Sequence, residues 1–246
     1  MEKVVHLLWG QPAAGEALRG RLLDVVAPEI LAAPHVRGLS INVHDAAAAE
    51  APSPVPAAEG DDVHVAEVSV WLDCYEHGGA VDAALDALGL RRDSYLVVES
   101  LYDDYGTTPH ASPRDWPDGV ASPGVLTVAL IHRPEGLDYD KWITRWHGTQ
   151  SPESGRLQPR TRYVRNEVVR ALTPGAPEVH GIVEEGWPSA AHVADPYLFF
   201  NAAPGDKATL NANVEQMMAN VAACLDLDRI RSTTMTEHLL RSPGAR

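Results

Sequence analysis

The chain spells out one order of secondary-structure signals and then spells it again, and this repetition limits its fold more than any other feature. Residues 3–9 alternate around Val and Leu and stop at Gly10-Gln11-Pro12, which predicts a strand. Leu18, Leu22, Leu23, Val26, Ile30 and Leu31 recur at helical spacing over 15–33, with Pro28 placed to break or kink that helix. Strands are predicted at 36–44, 62–72 and 94–102, a Pro/Ala-rich loop at 46–60, and a helix at 78–90 ended by Gly89. A Pro/Gly-rich stretch follows, holding Tyr105 and Trp116, and reads as a linker packed on the surface. Beyond it come a strand at 125–132, a helix from Asp138 or Asp140 to about 148, strands at 161–171 and 179–187, helices at 189–194 and 208–224, and a strand at 229–238.

Strand, helix, strand, strand, helix, strand, twice over, predicts an α+β protein of two tandem ferredoxin-like βαββαβ units. Each unit makes an antiparallel sheet with helices on one face. The other face must also be covered, so the two sheets are expected to pack face to face into an α/β barrel. The expected organisation is an N-terminal unit at 1–105, a linker at 106–123 and a C-terminal unit at 124–246.

Composition narrows the partners. The net charge of −14 argues against nucleic acid and anionic membranes, whose phosphates need a positive stripe. No run reaches the roughly 18 apolar residues of a membrane span. Cys74 and Cys224 stand far apart, without a CxxC pair, and the start of the chain lacks a signal-peptide pattern, which together point to the cytoplasm. GxGxxG, Walker and GxSxG motifs are all missing, so nucleotide and covalent serine chemistry are not expected, and Ser or Cys nucleophiles show no visible partner. His6, His44 and His64 lie on three predicted strands without ligand spacing, so no metal is expected.

The second half carries an ordered set of motifs. Trp142 and Trp146 precede Gln150-Ser151-Pro152; then come Arg162-Tyr163-Val164-Arg165-Asn166, Gly181-Ile182-Val183-Glu184-Glu185-Gly186-Trp187 and a late helix with Asn213 to Met218. Over roughly 124–240 this resembles the EthD-like family of the dimeric α/β-barrel superfamily. That family places a histidine where this chain has Gln150, while His147 stands one turn earlier. The resemblance implies a cofactor-independent enzyme of lyase, dehydratase or cyclase type, acting on a hydrophobic cyclic or aromatic compound of catabolic or polyketide-like kind. Two alternatives accompany it: a non-catalytic hydrophobic-ligand-binding or stress-related protein, and a cofactor-free monooxygenase. Homodimerisation is left open.

Several side chains are candidates for that chemistry. Trp142 and Trp146 share a helix face and form either core anchors or a wall for a flat ligand. His147 has the residue type of a general base near neutral pH. Gln150 orients but exchanges no proton. Tyr163 and Asn166 lie on opposite faces of one strand, so one is expected in the cleft and the other at the sheet interface. Arg160, Arg162, Arg165 and Arg170 either pair with Glu184 and Glu185 or, Arg162 first, anchor an acidic substrate group. Glu185 shares a face with Val183 and Trp187; buried among them it becomes a candidate acid, and Trp187 is expected to shape the pocket with Trp142 and Trp146. Glu67 and Trp71 share a strand face as Glu185 and Trp187 do, an echo that suggests both halves once had similar pockets.

Overall fold

Both halves build the sheet that the element order predicts, and the two sheets join edge to edge. A computed structural model describes residues 1–12, 15–55 and 63–244. The first half supplies β1 (Glu2–Gly10), β2 (Val36–Val43), β3 (Val63–Leu72) and β4 (Arg91–Asp103); the second supplies β5 (Val125–Ile131), β6 (Arg162–Ala171), β7 (Gly181–Trp187) and β8 (Arg231–Arg241). They close a barrel in the order β1-β3-β2-β8-β5-β7-β6-β4. Every pairing is antiparallel, including the two seams between halves, β2 with β8 and β4 with β6. Closure removes the four free edges that two separate sheets would expose. The end of the expected 46–60 loop and the first residue of the expected 62–72 strand lie outside the described residues.

Helices cover the outside: α1 at 15–32, α2 at Gly79–Asp86, α3 at 139–157, the short α4 (Ala191–Ala194) and α5 (Pro196–Phe199), and α6 (Lys207–Cys224). The helix expected over 15–33 is present, with Pro28 not breaking it, whereas the helix expected to end near 148 runs on to Leu157, past Pro152. Each proline follows a π turn, Leu22–Val26 in α1 and Trp146–Gln150 in α3, and sits near the start of the next α-helical segment. The wider turn absorbs the missing proline N–H, and Ser151 Oγ donates to the Trp146 carbonyl at 2.9 Å. The same device in both halves aligns Leu18 with Trp142, Leu22 with Trp146 and Val26 with Gln150. In the first half these positions are apolar and pack with Leu39, Ile41, Val68 and Val70 into a filled core.

The expected linker is tied down. Gly119 and Ser122 donate backbone N–H groups to Leu239 and Glu237 on β8, and Tyr105 Oη donates to Glu237 Oε2 at 3.0 Å.

Contacts between non-neighbouring strands define the barrel interior. Toward one end Val5, Leu7, Tyr95, Leu126, Val128 and Met235 form an apolar plug. Elsewhere the interior is charged. Lys3 on β1 reaches Glu184 on β7 and Glu99 on β4, each at 2.9 Å, and Arg162 on β6 reaches Glu237 on β8 at 2.6 Å. Glu67 is buried beside them, its Oε1 accepting from Ser69 Oγ at 2.7 Å. Burial and the Glu184 carboxylate push Glu67 above the ordinary carboxylate range; for Glu184 burial opposes ionisation, but Lys3 and Arg162 outweigh it and hold it below that range. The folded state therefore keeps the Glu67 proton at pH values where the unfolded chain has lost it, so Glu67 makes stability fall as pH rises above the ordinary carboxylate range. Glu67→Gln copies the protonated form. Urea unfolding from mildly acid to mildly alkaline pH should show a declining stability in the wild type and a flatter profile in this variant; equal slopes would remove Glu67 from the pH dependence.

The echo between Glu67/Trp71 and Glu185/Trp187 is not structural. Trp71 lies opposite Lys3 and donates to Glu99, inside the barrel, whereas Glu185 and Trp187 face outward from β7. One-residue parity of a strand decides the face, and these pairs have opposite parity relative to the barrel.

Candidate functional site

A cavity of about 350 Å³ lies between the outer face of the second-half sheet and its helices. This is within the roughly 300–1,000 Å³ range of small-molecule sites. Ala129 and Ile131 on β5, Tyr163 on β6, and Val183 and Glu185 on β7 form its floor. Trp146 and Gln150 from the π turn of α3 form one wall; Met217, Met218 and Val221 on α6 form another. Phe199 and Phe200 close a third side, and Pro54 and Val55 reach over from the first half. Ser53 Oγ donates to the Ser232 carbonyl at 2.7 Å, fixing that loop to β8.

Four of the residues singled out in sequence meet here: Trp146, Gln150, Tyr163 and Glu185. Trp146 Nε1 donates to Tyr163 Oη at 3.4 Å. Gln150 is buried; its Nε2 points to Met217 Sδ at 3.3 Å and its Oε1 has no hydrogen-bond partner among the described residues. Glu185 keeps 20% of its side chain exposed, and burial pushes its carboxyl above the ordinary range, against the pull of Arg160. Burial likewise raises the Tyr163 phenol, and again Arg160 opposes it.

The other candidates lie elsewhere. Trp142 is buried behind Trp146, ring centroids 4.9 Å apart, as a core anchor. Trp187 is fully buried and stacks on Phe199 at 4.7 Å, so it backs a cavity wall; its Nε1 donates to Thr127 Oγ1 at 3.0 Å. Arg162 and Asn166 point into the barrel, where Arg162 pairs with Glu184 and Glu237 and Asn166 Nδ2 donates to Glu184 at 2.9 Å. His147 packs its ring against Trp146 at 4.6 Å, outside the cavity lining. Burial, helped by Arg165, lowers its pKa to about 4, which leaves the imidazole neutral and weakly basic. His6, His44 and His64 go to three separate partners, Ser94, the Thr234 carbonyl and the Val128 carbonyl. The expectation that a serine nucleophile has no visible partner is corrected at two places, since His6 Nδ1 lies 2.8 Å from Ser94 Oγ and His192 Nδ1 lies 2.9 Å from Ser189 Oγ. Among the described residues no group of three or more His, Cys, Asp or Glu is set to hold a metal, and no helix is long and apolar enough to cross a membrane.

Sequence reasoning missed Phe199, Phe200, Met217 and Met218. A signal existed: the chain has only two Phe and four Met, and both Phe and two of the Met stand as adjacent pairs. Clustered adaptable or aromatic side chains suit a ligand wall.

Gly181, the first residue of β7, packs against two residues of the cavity lining, Trp146 and Ile131. A Cβ there would lie 2.7 Å from Trp146 Cη2 and 2.9 Å from Ile131 Cγ1. Gly181→Ala should therefore push the indole into the cavity, cost about 1–3 kcal/mol in urea unfolding, and weaken ligand binding; an unshifted tryptophan emission spectrum would show that Trp146 has not moved.

No family model and no curated protein matches the sequence. Among solved structures, the chain is similar to an anthrone oxidase-like protein, with a TM-score of 0.54 and 12% identity over 98% of this chain and 94% of that one. A candidate monooxygenase from Fusobacterium nucleatum subsp. nucleatum gives a TM-score of 0.45 at 8% identity, covering 98% and 92% of the two chains. A candidate chlorite dismutase gives 0.46 at 11% identity, covering 97% and 95%. The first likeness, spanning nearly the whole of both chains, agrees with the strand order: the protein is a ferredoxin-like α/β barrel made from one chain.

Proposed function

We propose that the protein is a small-molecule enzyme that takes a flat, hydrophobic cyclic compound into the second-half cavity and moves a proton on it, with Glu185 as the acid/base. The observation that carries this is a single carboxyl group in an otherwise mainly apolar cavity, raised by burial toward the pH at which a carboxyl exchanges protons usefully. Glu185 takes the role in preference to His147 because it lines the cavity. Trp146 and Phe199 would flank the ligand rings, Gln150 Oε1 would accept from a ligand hydroxyl, and Tyr163 Oη would donate to a ligand oxygen. Proton removal next to a carbonyl is the shared step of lyase, dehydratase and cyclase chemistry, and also the step that precedes cofactor-free oxygenation of a carbanion. The motif set on α3, β6 and β7 supports placing the second half near the EthD-like proteins. The rival reading, a carrier without chemistry, draws support from the large apolar share of the lining.

Anthrone, a tricyclic ketone with an acidic ring methylene, separates the two readings. Under argon in deuterated buffer, the wild type should bind it and accelerate deuterium exchange at that methylene above the buffer rate, by NMR. Binding with exchange at the buffer rate would support the carrier, and no binding would remove both.

A further inference from the structure

Arg160 sits directly behind the two polar groups of the cavity floor, on the short connection between α3 and β6. Its side chain is 1% exposed. The guanidinium lies over the Tyr163 ring, 3.8 Å from the centroid, and Nη1 is 3.6 Å from Glu185 Oε1. Nη2 donates to the Ser151 carbonyl at 3.1 Å and to Asp103 Oδ2 at 3.4 Å. Nε and Nη1 have no hydrogen-bond partner among the described residues. A buried guanidinium with two such nitrogens is costly unless nearby charge compensates it.

The surrounding sequence makes room for this side chain. Gly155 lies in the last segment of α3, where glycine costs about 1 kcal/mol relative to alanine. A Cβ at Gly155 would stand 2.9 Å from Arg160 Nη2. Gly155 and Ser151 are one turn apart, so the guanidinium docks in a notch on the sheet-facing side of the helix. Ser151 is the residue that follows the π turn, so the device that carries Trp146 and Gln150 to the cavity also sets one anchor of Arg160.

We propose that Arg160 is a positioning residue that ties the Glu185 carboxylate and the Tyr163 phenol into one charge-linked pair facing the cavity. The inference rests on the reading of Glu185 as the proton-moving group. When the Glu185 carboxylate takes a ligand proton it becomes neutral, and the Arg160 cation behind it then balances the negative charge left on the ligand. Tyr163, held by the same cation, keeps its hydroxyl directed at the oxygen on which negative charge develops. Other groups near Glu185 are fewer: Thr127 Oγ1 on β5 donates to the Glu185 backbone carbonyl at 3.5 Å, and Trp187 holds Thr127 in turn. Asp103, at the end of β4, pairs with Arg160 from the far side and limits the charge it offers.

The test is a carboxyl titration that needs no substrate. In protein labelled with 13C at glutamate carboxyls, Glu185 is assigned by its loss in Glu185→Gln. Arg160→Met should raise its titration midpoint by about 1–3 pH units, and Arg160→Lys should return most of the shift. Gly155→Ala touches neither Glu185 nor the cavity, yet should move the midpoint in the same direction by displacing Nη2. If Arg160→Met does not fold, Gly155→Ala and Arg160→Lys decide the matter. A midpoint unmoved in the folded variants would overturn the proposal. The outcome is separable from that of the function: loss of anthrone exchange in Glu185→Gln tests the enzyme reading, and the titration tests the tie.

Discussion

Glu185→Gln should lower turnover of any compound the cavity processes by about 10²–10⁴-fold, while binding of the same compound changes by no more than a few fold. Glutamine keeps the shape and hydrogen-bonding reach of the side chain but neither gives nor takes a proton near neutrality. The side chain lines the cavity and is partly reachable from it, so the substitution removes chemistry without opening a hole in the core. Burial raises the Glu185 carboxyl, and only its ionised form acts as a base. The rate should therefore climb with pH through a range above that of a free carboxylate, and this limb should vanish in the glutamine variant. A variant with full turnover and an unchanged pH limb would put the proton transfer on another group.

Lys3→Met should destabilise the fold by roughly 3–5 kcal/mol in urea unfolding. Lys3 is the cation between Glu184 and Glu99, each 2.9 Å away, and it also faces Glu67. Its side chain and that of Glu184 are each 2% exposed, so water cannot take over the lost pairing. Removing it leaves carboxylates crowded in the barrel. Two consequences separate this cause from simple loss of packing. Adding Glu184→Gln to Lys3→Met should recover part of the loss, because one stranded charge disappears. Lowering the pH should narrow the gap to the wild type, because carboxylates without their cation titrate higher and hold protons in the folded state. A loss of less than about 1 kcal/mol, or one insensitive to pH, would mean that the network is not holding the barrel together.

The element order was legible because each strand and helix carries its own apolar period, and the period survives without knowledge of neighbours. Closure of the barrel followed from the uncovered sheet faces. What sequence could not show was parity relative to the barrel. Tyr163 and Asn166 were assigned to opposite faces, and they do lie on opposite faces, Tyr163 in the cavity and Asn166 in the barrel. For Arg162 the same alternation left the choice open, and the pull of Glu184 and Glu237 across the interior decides it. The helix predicted to stop near residue 148 runs on past Pro152, and the π turn that admits this proline leaves no local signature beyond the matching Pro28 in the first half. His147 looked available because its distance along the chain from Gln150 is one turn of a regular helix, whereas the π turn changes that spacing and leaves His147 against Trp146. The aromatic and methionine walls come from α5 and α6, far along the chain, and only tertiary packing brings them to the π turn.

The unequal halves follow from the same alignment. Where the second half has Trp146 and Gln150, the first has Leu22 and Val26, both buried in an apolar core. The polar group that the second half presents at its π turn is thus replaced by aliphatic packing at the π turn of the first.

The most direct test of the central claim is a crystal structure of the protein grown with a tricyclic aromatic ketone. The rings should lie between Trp146 and Phe199, with the ketone oxygen within hydrogen-bond distance of Tyr163 Oη and a ring carbon facing Glu185. Ligand density elsewhere on the barrel, or none in the cavity at saturating ligand, would contradict the assignment of this cavity as the site.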